Sequence, residues 1–115
     1  MDENKIANAI TITYEDTKYT LTYTRRSVQQ METGGFVFDE IDTKPALRVP
    51  QLFHGAFLAK ASLVKAAKID EIYKCLPNKD KLILELGKMY QNTLASLLDE
   101  PDEEHSGKAT WEMAE

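Results

Sequence analysis

The first periodicity along this chain is two. Ala9-Ile10-Thr11-Ile12-Thr13-Tyr14 alternates apolar and polar positions, and Tyr19-Thr20-Leu21-Thr22-Tyr23-Thr24 does the same. β-Branched and aromatic residues dominate both runs, which predicts two strands of an antiparallel hairpin. Setting Tyr14 opposite Tyr19 across a four-residue connection, Glu15 to Lys18, puts Ile12 opposite Leu21 and Ile10 opposite Tyr23. These side chains then share one face and the threonines the other, because successive residues of a strand point to opposite sides.

Beyond Thr24 the period lengthens. Thr24 is placed to cap a short helix from Arg25 to Thr33, with its hydroxyl accepting from the free amide of Ser27 or Arg26 and with Val28 and Met31 turned inward. Gly34-Gly35 supplies its stop, since glycine takes the left-handed conformation at low cost. Phe36-Val37-Phe38 is long enough for a third short strand or an extended crossing, and Asp39 to Lys44 reads as polar connection. Pro50 fits the first turn of a helix, where no amide is needed. Leu52, Phe53, Ala56 and Phe57 follow as one apolar stripe. Ile69, Ile72, Tyr73 and Leu76 mark another helix, stopped by Pro77, and the position of the break between residues 60 and 68 stays open. Asn78 is placed to cap the longest element, whose stripe runs Leu82, Ile83, Leu86, Met89, Tyr90, Leu94, Leu97 and Leu98. The class is α+β. An N-terminal antiparallel β-hairpin, with room for a third short strand, packs on three to four α-helices within residues 1–100, and a disordered acidic tail occupies residues 101–115.

Composition changes this picture in one place. The chain has 115 residues and a net charge of -5, but the charge is uneven. From Asp99 onward Asp99, Glu100, Asp102, Glu103, Glu104, Glu112 and Glu115 face Lys108 alone, so the end of the chain carries about -6 and the rest about +1. Dense charge with few apolar groups predicts disorder after Pro101. An acidic end repels phosphate backbones and the body has no basic stripe, so nucleic acid is not the expected partner. No apolar run approaches the roughly 20 residues of a membrane span, and Met1 to Lys5 is too polar for a signal peptide.

Candidate chemistry is sparse. His54 and His105 are the two histidines, and neither has the convergent partners that a metal or general-base role needs, so His54 reads as structural. Cys75 is the only cysteine, which excludes an internal disulfide, and it reads as a small buried residue at a helix end. Gly34-Gly35 lacks the pattern of a phosphate loop. No catalytic, cofactor-binding or metal-ligating residue is expected, and the reading is of a protein that is not an enzyme and uses no cofactor. Arg25 and Arg26 are electrostatically odd at a helix start, where the macrodipole favours acids. They are placed to grip an acidic partner or a phosphate, or to pair within the chain. Trp111, in the acidic end, reads as an aromatic anchor for a partner or as a residue that packs back on the body.

Tyr23-Thr24-Arg25-Arg26-Ser27-Val28, Met31-Glu32 and Gly35-Phe36 open a series that continues through Leu52-Phe53-His54-Gly55-Ala56-Phe57, Ile69-Asp70-Glu71-Ile72 and Met89-Tyr90. Over about residues 10 to 100 this series resembles the tail assembly chaperones of long-tailed phages and prophages of Gram-positive bacteria. The N-terminal hairpin departs from the many such chaperones that are mostly helical. The resemblance implies a small protein of the bacterial host cytoplasm that binds the tape measure protein, and in second place the tail tube protein, and keeps the tape measure soluble during tail assembly. Arg25, Arg26, Phe53, Phe57, Met89 and Trp111 are the candidate partner-binding residues. Two alternatives remain open: a virion structural component, such as a head-tail connector or tail completion protein, and a small nucleic-acid-binding regulator.

Overall fold

A computed structural model describes residues 9–99, 103–104 and 106–114. Strand β1, Ile10–Tyr14, pairs antiparallel with β2, Thr17–Leu21. Helix α1 runs Arg25–Thr33, α2 Pro45–Gly55, α3 Ala66–Cys75 and α4 Lys79–Ala95. Short 3-10 turns occupy Phe38–Glu40 and Ser96–Leu98. The α+β class and the N-terminal hairpin stand as expected.

The hairpin register differs from expectation. Tyr14 pairs with Thr17, Ile12 with Tyr19 and Ile10 with Leu21, which moves the partner strand by two residues and leaves Glu15 and Asp16 as a two-residue loop. Both loop residues have positive φ, 49° and 67°, the left-handed pair that matches the twist of the flanking strands. A shift of two preserves the face. Ile12 and Leu21 are buried beneath the sheet with Ile10, Tyr14 and Tyr19 packed beside them, while Thr11, Thr13 and Thr20 face water. Tyr23 lies past the strand end and is buried as well.

Local chemistry then turns the chain into α1. Ser27 N–H donates to Thr24 Oγ1 at 3.0 Å and Thr24 N–H donates to Ser27 Oγ at 2.9 Å, a reciprocal capping box. At the other end Gly35 sits at φ 103°. Gly35 N–H reaches the Glu32 carbonyl and Phe36 N–H the Met31 carbonyl, each at 3.0 Å, so the orphan carbonyls are satisfied in a Schellman pattern. This pulls Phe36 into the core, where no third strand forms among the described residues; the backbone goes straight into the turn at Phe38–Glu40.

Helix α2 begins earlier than Pro50 suggests. Pro45 takes its first turn and Pro50 lies inside it. Helix α3 ends ahead of Pro77, as expected, but at Cys75, with Leu76 already in extended backbone, and the break before it covers residues 56–65. Asn78 does occupy the cap position of α4, but in a left-handed conformation (φ 52°), with no capping bond from its side chain.

The core joins all these elements. Tyr90 of α4 is fully buried and collects Tyr23, Phe36 and Phe38, with Phe38 stacked on it at 5.2 Å and 4°. Leu52, Phe53, Ala56 and Phe57 form the second half. Phe53 lies 5.3 Å from Phe57 and 4.9 Å from Tyr73 of α3. The sheet is tied to α2 by Thr22 N–H donating to the Ala56 carbonyl at 3.1 Å, and Tyr23 O–H donates to the Leu52 carbonyl at 2.6 Å. The apolar stripe of α4 ends at Leu94: Leu97 and Leu98, expected inside, are 58% and 86% exposed. Helix α4 ends at Ala95 and Ser96–Leu98 is a 3-10 turn, so the 3.6-residue period that carries the stripe stops before either leucine. The expected roles of residues 1–5, Pro101, Asp102 and His105 lie outside the described residues.

Candidate functional site

Helices α1 and α4 pack against each other, and an open groove of about 780 Å³ lies along their contact. Arg25, Arg26, Gln29 and Glu32 of α1 form one wall with Val28 at the base; Leu94 and Leu97 form the other. The capping box fixes the two arginines there. With Ser27 and Val28 buried, the helical rotation turns Arg25, Arg26 and Gln29 outward.

The arginines play different parts. Arg25 Nε donates to Ser96 Oγ at 3.3 Å, and its Nη2 donates to the Ser96 carbonyl, so this guanidinium closes the C-terminal end of α4. Arg26 is exposed and makes no ion pair among the described residues. It is the open positive charge on the lip of the groove.

The other candidates divide cleanly. Phe53 and Phe57 are 1% exposed and Met89 is 4% exposed, so all three are packed in the core and offer a partner no surface in this conformation. Trp111 is 85% exposed and Met113 82%. Every described residue from Leu97 to Ala114 is exposed. The structure therefore brings Arg25 and Arg26 together and leaves Trp111 outside, on the acidic segment that departs from the groove's own wall. Leu94, Leu97 and Leu98 were assigned to the core by periodicity alone. The acidic run that begins at Asp99, immediately after Leu97 and Leu98, is the sequence signal that sets these two apart from it.

A smaller apolar cleft of about 220 Å³ lies between α1 and α2, floored by Met31, Phe36 and Gly55 with His54 and Leu58 at its edge. His54 Nε2 lies 2.7 Å from Asp70 Oδ1, which joins α2 to α3. Cys75 is exposed rather than buried: it is the last residue of α3, whose buried side is carried by Ile69 and Ile72. Among the described residues no group of three or more His, Cys, Asp or Glu could hold a metal ion, and no helix is long and apolar enough to cross a membrane.

The perturbed titrating groups serve as ties between elements. Burial, followed by the nearby Tyr90, pushes the Tyr23 hydroxyl well above its usual range. Burial and then a hydrogen bond to Glu32, at 2.9 Å, raise Tyr90 likewise. Tyr14 is raised chiefly by its hydrogen bond to Glu71, whose own carboxyl is lowered by the same bond and then by Lys68. Glu40 is held below the usual carboxylate range by the Arg48 guanidinium, which donates from Nη2 at 2.6 Å and Nε at 2.9 Å. None of these groups faces the α1–α4 groove except through Glu32.

A family model described as a domain of unknown function, DUF5055, matches residues 6–113. The chain belongs to this family. No curated protein and no solved structure matches it. The match continues beyond α4 and takes in Trp111 and Met113.

Proposed function

We propose that this protein is a phage tail assembly chaperone of the bacterial host cytoplasm. It acts by binding rather than by chemistry: it holds apolar helices of the tape measure protein until tail tube subunits replace it. The observation that carries this reading is the pair Leu97 and Leu98, 58% and 86% exposed beside an open groove with an arginine lip. A helix laid into such a groove covers apolar surface on both partners. Full burial of one leucine contributes about 1.5–3 kcal/mol, so a few anchors, less the cost of association, give the reversible binding that a chaperone needs. The sequence resemblance, which includes Arg25 and Arg26 themselves, supplies the identity of the partner. Soluble expression of tiled tape measure fragments from the same phage, with and without this protein, tests the reading. The protein should raise the soluble yield, and Leu97→Asp with Leu98→Asp should abolish that effect while the far-UV spectrum is unchanged. A fragment set that stays insoluble throughout, or stoichiometric retention of the protein in finished virions, overturns it; the second result makes the protein a structural component of the particle.

A further inference from the structure

The groove and the exposed C-terminal segment are complementary, and this goes beyond the chaperone reading without depending on it. The groove offers cationic Arg25 and Arg26 over an apolar base of Val28, beside the wall of Leu94 and Leu97, and its one carboxylate, Glu32, already accepts from the Tyr90 hydroxyl. The segment after Leu98 offers seven carboxylates against Lys108 alone, followed by Trp111 and Met113 with their side chains in water. We propose that, when no partner helix fills the groove, its occupant is the C-terminal segment of a second copy of this chain, exchanged reciprocally so that each copy's Trp111 enters its neighbour's groove.

Charge and reach both favour this occupant. Arg26 lacks an ion-pair partner among the described residues, and acidic groups beside Trp111, notably Glu112, would supply one as the indole enters. From Leu97 to Trp111 an extended chain reaches at most about 46–50 Å, against a shorter molecular axis of 30 Å. The arm is therefore long enough to cross a neighbour. Its root argues for exchange over folding back. The segment leaves from Leu97, which is itself a wall of the groove, so docking on its own body has to close a loop and bear its closure entropy. A neighbour's arm has no such constraint. Reciprocal exchange closes as a two-fold dimer, with the same patch used by both copies. It also brings the two roots together, which covers the leucines at 97 and 98 that a single copy leaves in water.

The indole is its own reporter, because Trp111 is the only tryptophan in the chain. Sedimentation velocity and tryptophan emission are measured on the full chain across a micromolar to submillimolar concentration series. The expected result is a monomer–dimer equilibrium in which the emission moves to the blue as dimer forms, and which weakens with added salt. Trp111→Ser should weaken dimerisation at least about tenfold, the loss of a central aromatic anchor. Arg26→Glu should weaken it too, and adding Glu112→Lys to that variant should restore it. These positions are exposed, so far-UV spectra should not change. Emission that is blue at every concentration in a monomer means that the segment docks on its own body, which overturns the exchange. A monomer with fully exposed indole throughout, or a dimer indifferent to both single substitutions, overturns the proposal as well.

Discussion

Gly55 and Met31 offer a test of the packing between α1 and α2. Gly55 ends α2, and a methyl placed on it would overlap Sδ and Cε of Met31 and come within 2.9 Å of Cγ. Met31 is itself buried, at 7% exposure, so it has little room to withdraw except into the adjoining cleft. Overpacking of this kind costs about 1–3 kcal/mol. Replacing a helical glycine by alanine returns up to about 1 kcal/mol, less at a helix end. Gly55→Ala should therefore lose about 1–2 kcal/mol, which for a domain of this size lowers Tm by about 4–8 °C. Met31→Ala alone opens a cavity and should cost about 2–5 kcal/mol. The two losses should not add, because the new methyl occupies space that Met31 vacates. The double variant should be better than the sum by at least about 1 kcal/mol, well outside the ordinary scatter of additivity. Urea unfolding followed by far-UV circular dichroism measures all four proteins; Trp111 is too exposed to serve as the probe. Neutral or increased stability for Gly55→Ala, or additivity in the double variant within about 0.5 kcal/mol, would refute this account of the contact.

Two further outcomes are expected. Pro50 is exposed inside α2 and supplies no amide to the Ala46 carbonyl, so Pro50→Ala should raise stability by about 1–2 kcal/mol after the entropy that proline removes from the unfolded chain is deducted; a lower urea midpoint would contradict this. Tyr23 and Tyr90 have raised folded-state values, so the folded protein holds those protons more tightly than the unfolded chain does. Their contribution is complete below the ordinary tyrosine value of about 10 and is lost as pH rises above it, so unfolding free energy should fall on that side and tyrosinate absorbance should complete its rise only with unfolding.

What the sequence made legible were the decisions taken within a few residues. Thr24 and Ser27 cap α1 because a hydroxyl and an amide three residues apart meet at any helix start, and Gly34-Gly35 ends it because few residues accept φ near 100°. The hairpin face was legible from period two, but the register was not. Alternation is unchanged by a shift of two, and Glu15-Asp16 does not advertise a left-handed pair as Asn-Gly would. Pro50 misled because a proline marks a helix start only when the helix lacks a better one, and Pro45 was available. At the candidate site, Arg25, Arg26 and Trp111 were legible as residues out of place electrostatically or compositionally. Phe53, Phe57 and Met89 were not separable from the core, since an apolar stripe looks the same whether it meets its own fold or a partner. The groove itself depends on how α1 packs against α4, a tertiary fact to which no local pattern refers.

The bond from Arg25 to Ser96 has a mechanical consequence. Ser96 Oγ also donates to the Thr93 carbonyl at 2.6 Å, so the last turn of α4 is clipped to the first turn of α1 at the point where the acidic segment begins. Tension applied through that segment loads this clip first, before it reaches Tyr90 and the packed aromatic rings. The clip ties residues 71 positions apart, so it divides a pull between two helices instead of peeling one of them away from its end. The C-terminal arm is thus rooted in two helices at once, a tether with two anchorages rather than one.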